Sequence, residues 1–172
     1  YGLMLRSGND AAVAIAEYIS GDVDSFAALM NQEAAAMGAT RSHFVNPNGL
    51  PDENHYTCVY DMYLIFSNAV KNDTFVSIIG TTSYDVTYTD ASGEAVTHTW
   101  ENTNQYLTGN ATTPDGFQIV GGKTGTTGEA GYCLVLYSYN PSGQPIISIV
   151  FKADGKSNLY LLMNEMLQGF AI

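Results

Sequence analysis

The sequence predicts an α+β domain, on three observations. Apolar residues recur at three-to-four spacing up to about position 80, the apolar period drops to two from Ser83, and one more helical run closes the chain near Gln168. With 172 residues and 45% hydrophobic content, the chain has the size and apolar material of one domain with a real core. The pattern divides it into a helical part over 1–80, a hairpin with its connecting loop over 81–116, and sheet strands with a C-terminal helix over 117–172.

In chain order, Ser7-Gly8-Asn9-Asp10 leads into an alanine-rich helix, with Asn9 or Asp10 expected as its N-cap. Gly21 and Asp22 break it. A second helix is expected over 24–37, with Phe26, Leu29, Met30 and Ala34 on one face and Gly38 as its C-cap. Asn46-Pro47-Asn48-Gly49-Leu50-Pro51 has turn chemistry. Thr57 is expected to cap a third helix reaching Val70, and a short helix covers 75–79. Residues 83–89 and 95–100 alternate and are rich in β-branched and aromatic side chains. Asp90-Ala91-Ser92-Gly93 lies between them, so they read as a hairpin. A polar stretch over 102–115 precedes a strand at 117–120, a glycine-rich segment and a strand at 132–137. Asn140-Pro141-Ser142-Gly143 is a turn, 146–151 an apolar strand, and 158–168 a helix capped by Ser157.

Charge is sparse and one-sided: 17 acidic residues against 6 basic ones give a net charge of −11. Such a chain is repelled by nucleic-acid phosphates and anionic lipid, so no nucleic-acid partner is expected. No run approaches the ~18 apolar residues of a membrane-spanning helix. Cys58 and Cys133 lie too far apart for a zinc spacing and read as buried free thiols. His43, His55 and His98 are scattered, so neither a metal nor another cofactor is expected. Tyr1-Gly2-Leu3-Met4-Leu5 lacks an initiating methionine and reads as the end of an apolar segment. The sequence is therefore expected to begin inside a larger protein, and it opens on no signal peptide.

Gly121-Gly122-Lys123-Thr124-Gly125-Thr126-Thr127-Gly128 first suggests a phosphate loop. The spacing fails, because the position that requires the first glycine holds Phe117. The context fails too, because Gly125 and Gly128 forbid the helix that must follow. The alternative is a strand carrying Lys-Thr-Gly along a cleft. Lys123 then offers a point charge to a carboxylate or a reacting hydroxyl, and Gly125 lets a ligand lie against the backbone. The N–H of Thr126 can face a developing oxyanion. Ser7-Gly8-Asn9 adds a hydroxyl and an amide at a loop-to-helix junction.

Together these motifs resemble the D-alanyl-D-alanine carboxypeptidases, low-molecular-mass penicillin-binding proteins of the penicilloyl-serine transferase superfamily. The resemblance extends through Asp24-Ser25-Phe26, Leu29-Met30-Asn31 and Met37-Gly38-Ala39-Thr40. It continues through Phe44-Val45-Asn46-Pro47-Asn48-Gly49-Leu50, His55-Tyr56-Thr57, Tyr60-Asp61-Met62, Asn102-Thr103-Asn104 and Ala130-Gly131-Tyr132-Cys133-Leu134-Val135. One departure is large: no serine here has a lysine three positions on, so the family's Ser-x-x-Lys nucleophile is absent from this chain. In the family that motif precedes Ser-x-Asn, on a helix that accompanies two further strands of the sheet.

The resemblance implies the β-lactamase/transpeptidase-like fold, an antiparallel sheet with a helical subdomain, of which this chain is the C-terminal portion. It implies that Ser7 relays protons, Asn9 binds the substrate amide and Lys123 supplies positive potential. Thr124 and Gly125 contact substrate, and the Thr126 N–H is half of an oxyanion hole. Lys156 is a stand-in for an arginine that some members place after the last strand to hold the substrate carboxylate. The implied reaction removes the terminal D-alanine of peptidoglycan pentapeptides through an acyl-serine, at the extracytoplasmic face of the bacterial cell envelope, and β-lactams acylate the same serine. The implied partners are a stem peptide ending in D-Ala-D-Ala, β-lactams, and an N-terminal segment or another chain along the open sheet edge. Two alternatives stand beside this: a catalytically inactive peptidoglycan- or penicillin-binding module, and a protein related to serine β-lactamases, against which no deacylating glutamate is evident.

Overall fold

Residues 1–169 are described by this computed structural model of the protein, and they form helices packed on both faces of an antiparallel sheet. The short helix α1 (Gly2–Arg6) occupies the segment read as the tail of an apolar run, and its Leu5 is fully buried. Ser7 ends it in the left-handed region at φ 54°, and the Gly8 N–H closes on the Gly2 carbonyl at 3.1 Å. Helix α2 (Asn9–Ser20) follows at once, with Gly8 as its N-cap. The expected cap is corrected here: Asn9 is already the first helical residue, and Asp10 accepts only from the adjacent Ala11 N–H, at 2.8 Å.

Helix α3 (Val23–Ala36) starts where Asp22 accepts from the Ser25 N–H at 2.7 Å. Gly38 takes the left-handed position just beyond its end, at φ 84°. Residues 40–57 form a loop held by side chains. Asn31 grips both backbone groups of Phe44, at 2.7 and 2.8 Å, and Asn46 closes its own turn on Gly49 and Leu50. The His55 imidazole accepts from the Val45 N–H at 3.2 Å, and burial holds its pKa below the usual histidine value. Helix α4 (Val59–Ala69) is capped by Cys58 rather than by Thr57, whose hydroxyl instead pairs with Ser42 at 2.7 Å. Asp61 is 1% exposed. Burial alone would raise its pKa, but bonds from the Ser42 hydroxyl and the Arg41 N–H outweigh it and hold the carboxyl low. Helix α5 (Asp73–Ile79) begins at Asn72, which accepts from the Phe75 N–H at 3.1 Å.

The expected hairpin is present as β1 (Ser83–Thr89) paired with β2 (Ala95–Glu101). The polar stretch after it holds a short helix α6 (Gln105–Thr108), capped by Asn104. The glycine-rich segment is one strand with what precedes it: β3 (Gln118–Thr127) runs through both, with a register shift between Ile119 and Gly121. It pairs with β4 (Gly131–Tyr139), which pairs with β5 (Pro145–Ala153). Helix α7 (Lys156–Gly169) closes the fold. Ser157 is its second residue, so it cannot cap the helix as expected. Cys58 and Cys133 are free thiols as expected, but half-buried rather than buried.

Leu134 and Leu136 of the central strand β4 point into a core with Phe117, Leu159, Met163 and Leu167. Val135 points the other way, toward Phe66 and Ile79, into a smaller cluster. Eight more apolar residues surround that second cluster only partly buried, among them Ile147, Ile149 and Phe151 of β5. Strand β5 has β4 as its only neighbour among the described residues, so its other edge is open.

Candidate active site

Two glycines of β3 set the approach of the site. A Cβ at Gly122 would stand 2.3 Å from the Val135 carbonyl oxygen, and one at Gly121 would stand 2.6 Å from the Ile79 carbonyl. Neither position tolerates a side chain, because β4 and the end of α5 press against the backbone there. At Gly125 nothing lies within 4 Å of where a Cβ would be. The glycines before Lys123 thus serve packing, and the one after Thr124 leaves space for a ligand.

Lys123 is carried between them. Its Nζ donates to the Ser7 hydroxyl and to the Thr124 carbonyl at 2.6 Å, joining residues 116 apart in sequence. Burial lowers its pKa to about 8, so the amine titrates close to neutrality. Ser7 receives this bond while in a left-handed backbone conformation, which a non-glycine residue adopts at a cost of about 1 kcal/mol. The strain aims its hydroxyl at β3 instead of at the first turn of α2, where no side-chain cap bond is made.

Beside this pair is a cavity of about 280 Å³. Ser7, Thr124, Gly125, Thr126 and Lys156 line it, joined by Arg6, Thr103, Tyr132, Leu159 and Tyr160. Asn9 is not brought to it; that residue is exposed at the start of α2. Thr103, Arg6 and Tyr160 are contributions that motif spacing did not reveal. The Thr103 and Thr124 hydroxyls share a 2.6 Å hydrogen bond. Two protons and one bond leave one hydroxyl proton free to be donated into the cavity. The loop bearing Thr103 is fixed from beneath: Asn102 donates to the Thr81 carbonyl at 2.9 Å and accepts from the Asn104 N–H at 2.9 Å. The Tyr160 hydroxyl accepts from the Gln105 N–H at 2.8 Å. Among the described residues no group of three or more His, Cys, Asp or Glu is placed to hold a metal ion.

Comparison with known proteins gives the family and the fold. A family profile described as D-alanyl-D-alanine carboxypeptidase matches residues 1–155. The D-alanyl-D-alanine carboxypeptidase DacF of Bacillus subtilis is 35% identical over 167 residues, which is 96% of this chain and 40% of that protein. A D-alanyl-D-alanine carboxypeptidase of Streptomyces is 34% identical over 183 residues, covering 100% of this chain and 60% of its own length. The crystal structure of a Streptomyces DD-transpeptidase superposes with a TM-score of 0.87 at 32% identity, over 100% of this chain and 66% of that one. The carboxypeptidase DacD of Francisella tularensis gives 0.82 at 26% identity, over 97% and 49%. The chain thus spans about half the length of the relatives it matches, and its fold is that of the DD-peptidases.

Proposed function

Since this chain belongs to the D-alanyl-D-alanine carboxypeptidase family, we propose that it supplies the Ser-x-Asn and Lys-Thr-Gly walls of a serine peptidase site. The whole protein would remove the terminal D-alanine from peptidoglycan stem peptides ending in D-Ala-D-Ala and be acylated by β-lactams. That substrate places its work at the extracytoplasmic face of the bacterial cell envelope. The observation that carries the reading is the bond from Lys123 to Ser7 at the rim of a cavity lined by Thr124, Gly125 and Thr126.

The nucleophile would come from sequence outside these 172 residues. Two features support a segment docking here: the open edge of β5 and the half-covered apolar cluster around Phe66, Ile79 and Val135. In the acylation step a serine oxygen bonds to the substrate carbonyl carbon as the C–N bond to the last D-alanine breaks. Ser7 Oγ, polarised by the bond it accepts from Lys123, takes the proton of the attacking serine and passes its own hydroxyl proton to the departing nitrogen. The Thr126 N–H would receive the oxyanion, and water then hydrolyses the ester. Asn9 is assigned the substrate amide, a role that needs a ligand reaching past the cavity to the start of α2.

Full-length protein incubated with an N-acyl peptide ending in D-Ala-D-Ala is expected to release D-alanine. Mass spectrometry is expected to find penicillin on one serine followed three residues on by lysine. Binding of penicillin without release of D-alanine or covalent labelling would make it an inactive binding module. Rapid turnover of penicillin with no peptidase activity would make it a β-lactamase relative.

A further inference from the structure

The hairpin of β1 and β2 is a sheet of its own, not joined to β3–β5. Its register puts Tyr84 opposite Trp100, Val86 opposite His98 and Tyr88 opposite Val96, so these six side chains share one face. The other face closes on itself: the Thr87 and Thr97 hydroxyls bond at 2.8 Å, and Thr99 donates to Asp85 at 2.6 Å. At its base the apolar face is covered, where Tyr1 stacks on Tyr84 at 3.9 Å and Gly2 of α1 lies against the Trp100 ring. Toward the turn it is open. Tyr88 is 46% exposed and His98 is exposed as well, their rings stacked on each other at 5.7 Å. The pairs Tyr84–Trp100 and Tyr88–His98 are thus set roughly 13 Å apart along the strand. A two-stranded hairpin is marginal in water, and an aromatic row left in solvent adds to its cost, so the row needs a reason.

We propose that this aromatic face is a docking surface for the neutral glycan strand that carries the stem peptide. This rests on the peptidase reading above and extends it from the peptide to the polymer. The face and the cavity are carried on the same two segments. Strand β2 runs from Glu101 straight into Asn102-Thr103, and Thr103 lines the cavity and bonds to Thr124. Helix α1, seated on the base of the face, ends in Arg6 and Ser7, which line the cavity too. The chemistry selects the partner. A pyranose ring offers a flat C–H face to an aromatic ring, and hydroxyl and acetamide groups to a tyrosine hydroxyl. That is the mixed surface Tyr84 and Tyr88 present. The face carries no Asp, Glu, Lys or Arg. The glycan is uncharged as well, because the carboxyl that holds each stem peptide is spent in an amide. An anionic polymer or lipid would be repelled by the net charge of −11. Two aromatic pairs at this separation suit an extended repeating ligand better than a single sugar.

The test compares one pentapeptide ending in D-Ala-D-Ala, free and attached to a glycan oligomer of several disaccharides, using full-length protein. The natural protein is expected to prefer the glycan-linked peptide. Tyr88→Ala and His98→Ala are each expected to lower the linked-to-free ratio of kcat/KM about fivefold, through KM, with cleavage of the free peptide unchanged. Tyr88→Trp should keep most of the preference. Added salt should leave it intact, and a preference that collapses with salt would assign it to charges elsewhere and overturn the proposal. An unchanged ratio in the double variant together with a lower melting temperature would mean that another part of the protein covers this face. A ratio of one in the natural protein would leave the face to a protein partner. Either result refutes glycan docking. Should the protein cleave neither substrate, the peptidase reading fails by itself. Calorimetry with a β-1,4-linked N-acetylglucosamine hexamer, in natural and Tyr88→Ala protein, then still decides the surface: no binding, or equal binding by both, would refute it.

Discussion

Ser7 carries a backbone cost that its hydroxyl bond to Lys123 explains, and this makes two substitutions informative. Ser7→Gly relieves the left-handed conformation, so it should raise the melting temperature while penicillin acylation of the full-length protein falls about 100-fold or more. Ser7→Ala keeps the strain and should lose acylation to the same extent. Normal acylation in either variant would leave Ser7 as a helix junction only. Lys123 adds a pH signature. Its pKa, brought down to about 8 by burial, keeps the amine charged at pH 7 and lets it lose that charge as pH rises through 8. If its charge attracts anionic ligands, KM for a carboxylate-bearing peptide rises above pH 8, and Lys123→Arg, which stays protonated, abolishes the inflection. A pH-independent KM between 7 and 9.5 would contradict that role.

Strand β3 shows how one element serves two purposes. Its first glycines are closed in by backbone and its third is open, so equivalent substitutions should separate. Gly122→Ala drives a methyl into the Val135 carbonyl and is expected to cost about 3 kcal/mol, read by denaturant unfolding. Gly125→Ala meets nothing in the fold, so stability should hold while ligand affinity drops where the backbone has to be approached. Comparable destabilisation by both would mean that the strand is placed wrongly. The loop over 40–57 is organised otherwise, by half-buried amides and one buried carboxylate. Asn31, Asn46 and Asp61 lie in stretches whose family resemblance is plain in the sequence, and the structure gives them positioning work.

At the scale of the molecule the two cores differ: nine buried residues anchor one, and only three anchor the other, which is rimmed by eight partly buried apolar residues. Eight partly buried apolar residues, each worth about 2 kcal/mol when fully covered, forgo together an amount comparable with the ~10 kcal/mol that holds a typical domain. The open edge of β5 adds unpaired backbone groups on a strand that is apolar on both faces. These 172 residues expressed alone should therefore self-associate on size exclusion and, having no Ser-x-x-Lys, take no covalent label from fluorescent penicillin. A labelled chain, or a sharp monomer with a cooperative unfolding transition, would show that the site or the second core is complete as it stands.

The sequence by itself determined the α+β class, the hairpin, the turns and the two motifs. Those are written in short-range periodicity and in residues whose spacing has a chemical reason. Helix starts were less legible: Asn9, Thr57 and Ser157 each have a capping side chain, yet tertiary contacts or the exact phase of the helix decided against them. The break expected between the strand at 117–120 and the glycines vanished, because β4 supplies a continuous partner and a bulge absorbs the mismatch. Only the tertiary structure brought Lys123 to Ser7, paired Thr103 with Thr124 and placed Arg6 and Lys156 on the lining of one cavity. These meetings join positions far apart in the chain, and no local pattern records them. They are fixed by packing between elements: α1 lies against β2 and α5, α5 against β3, and α7 against β4 and β5.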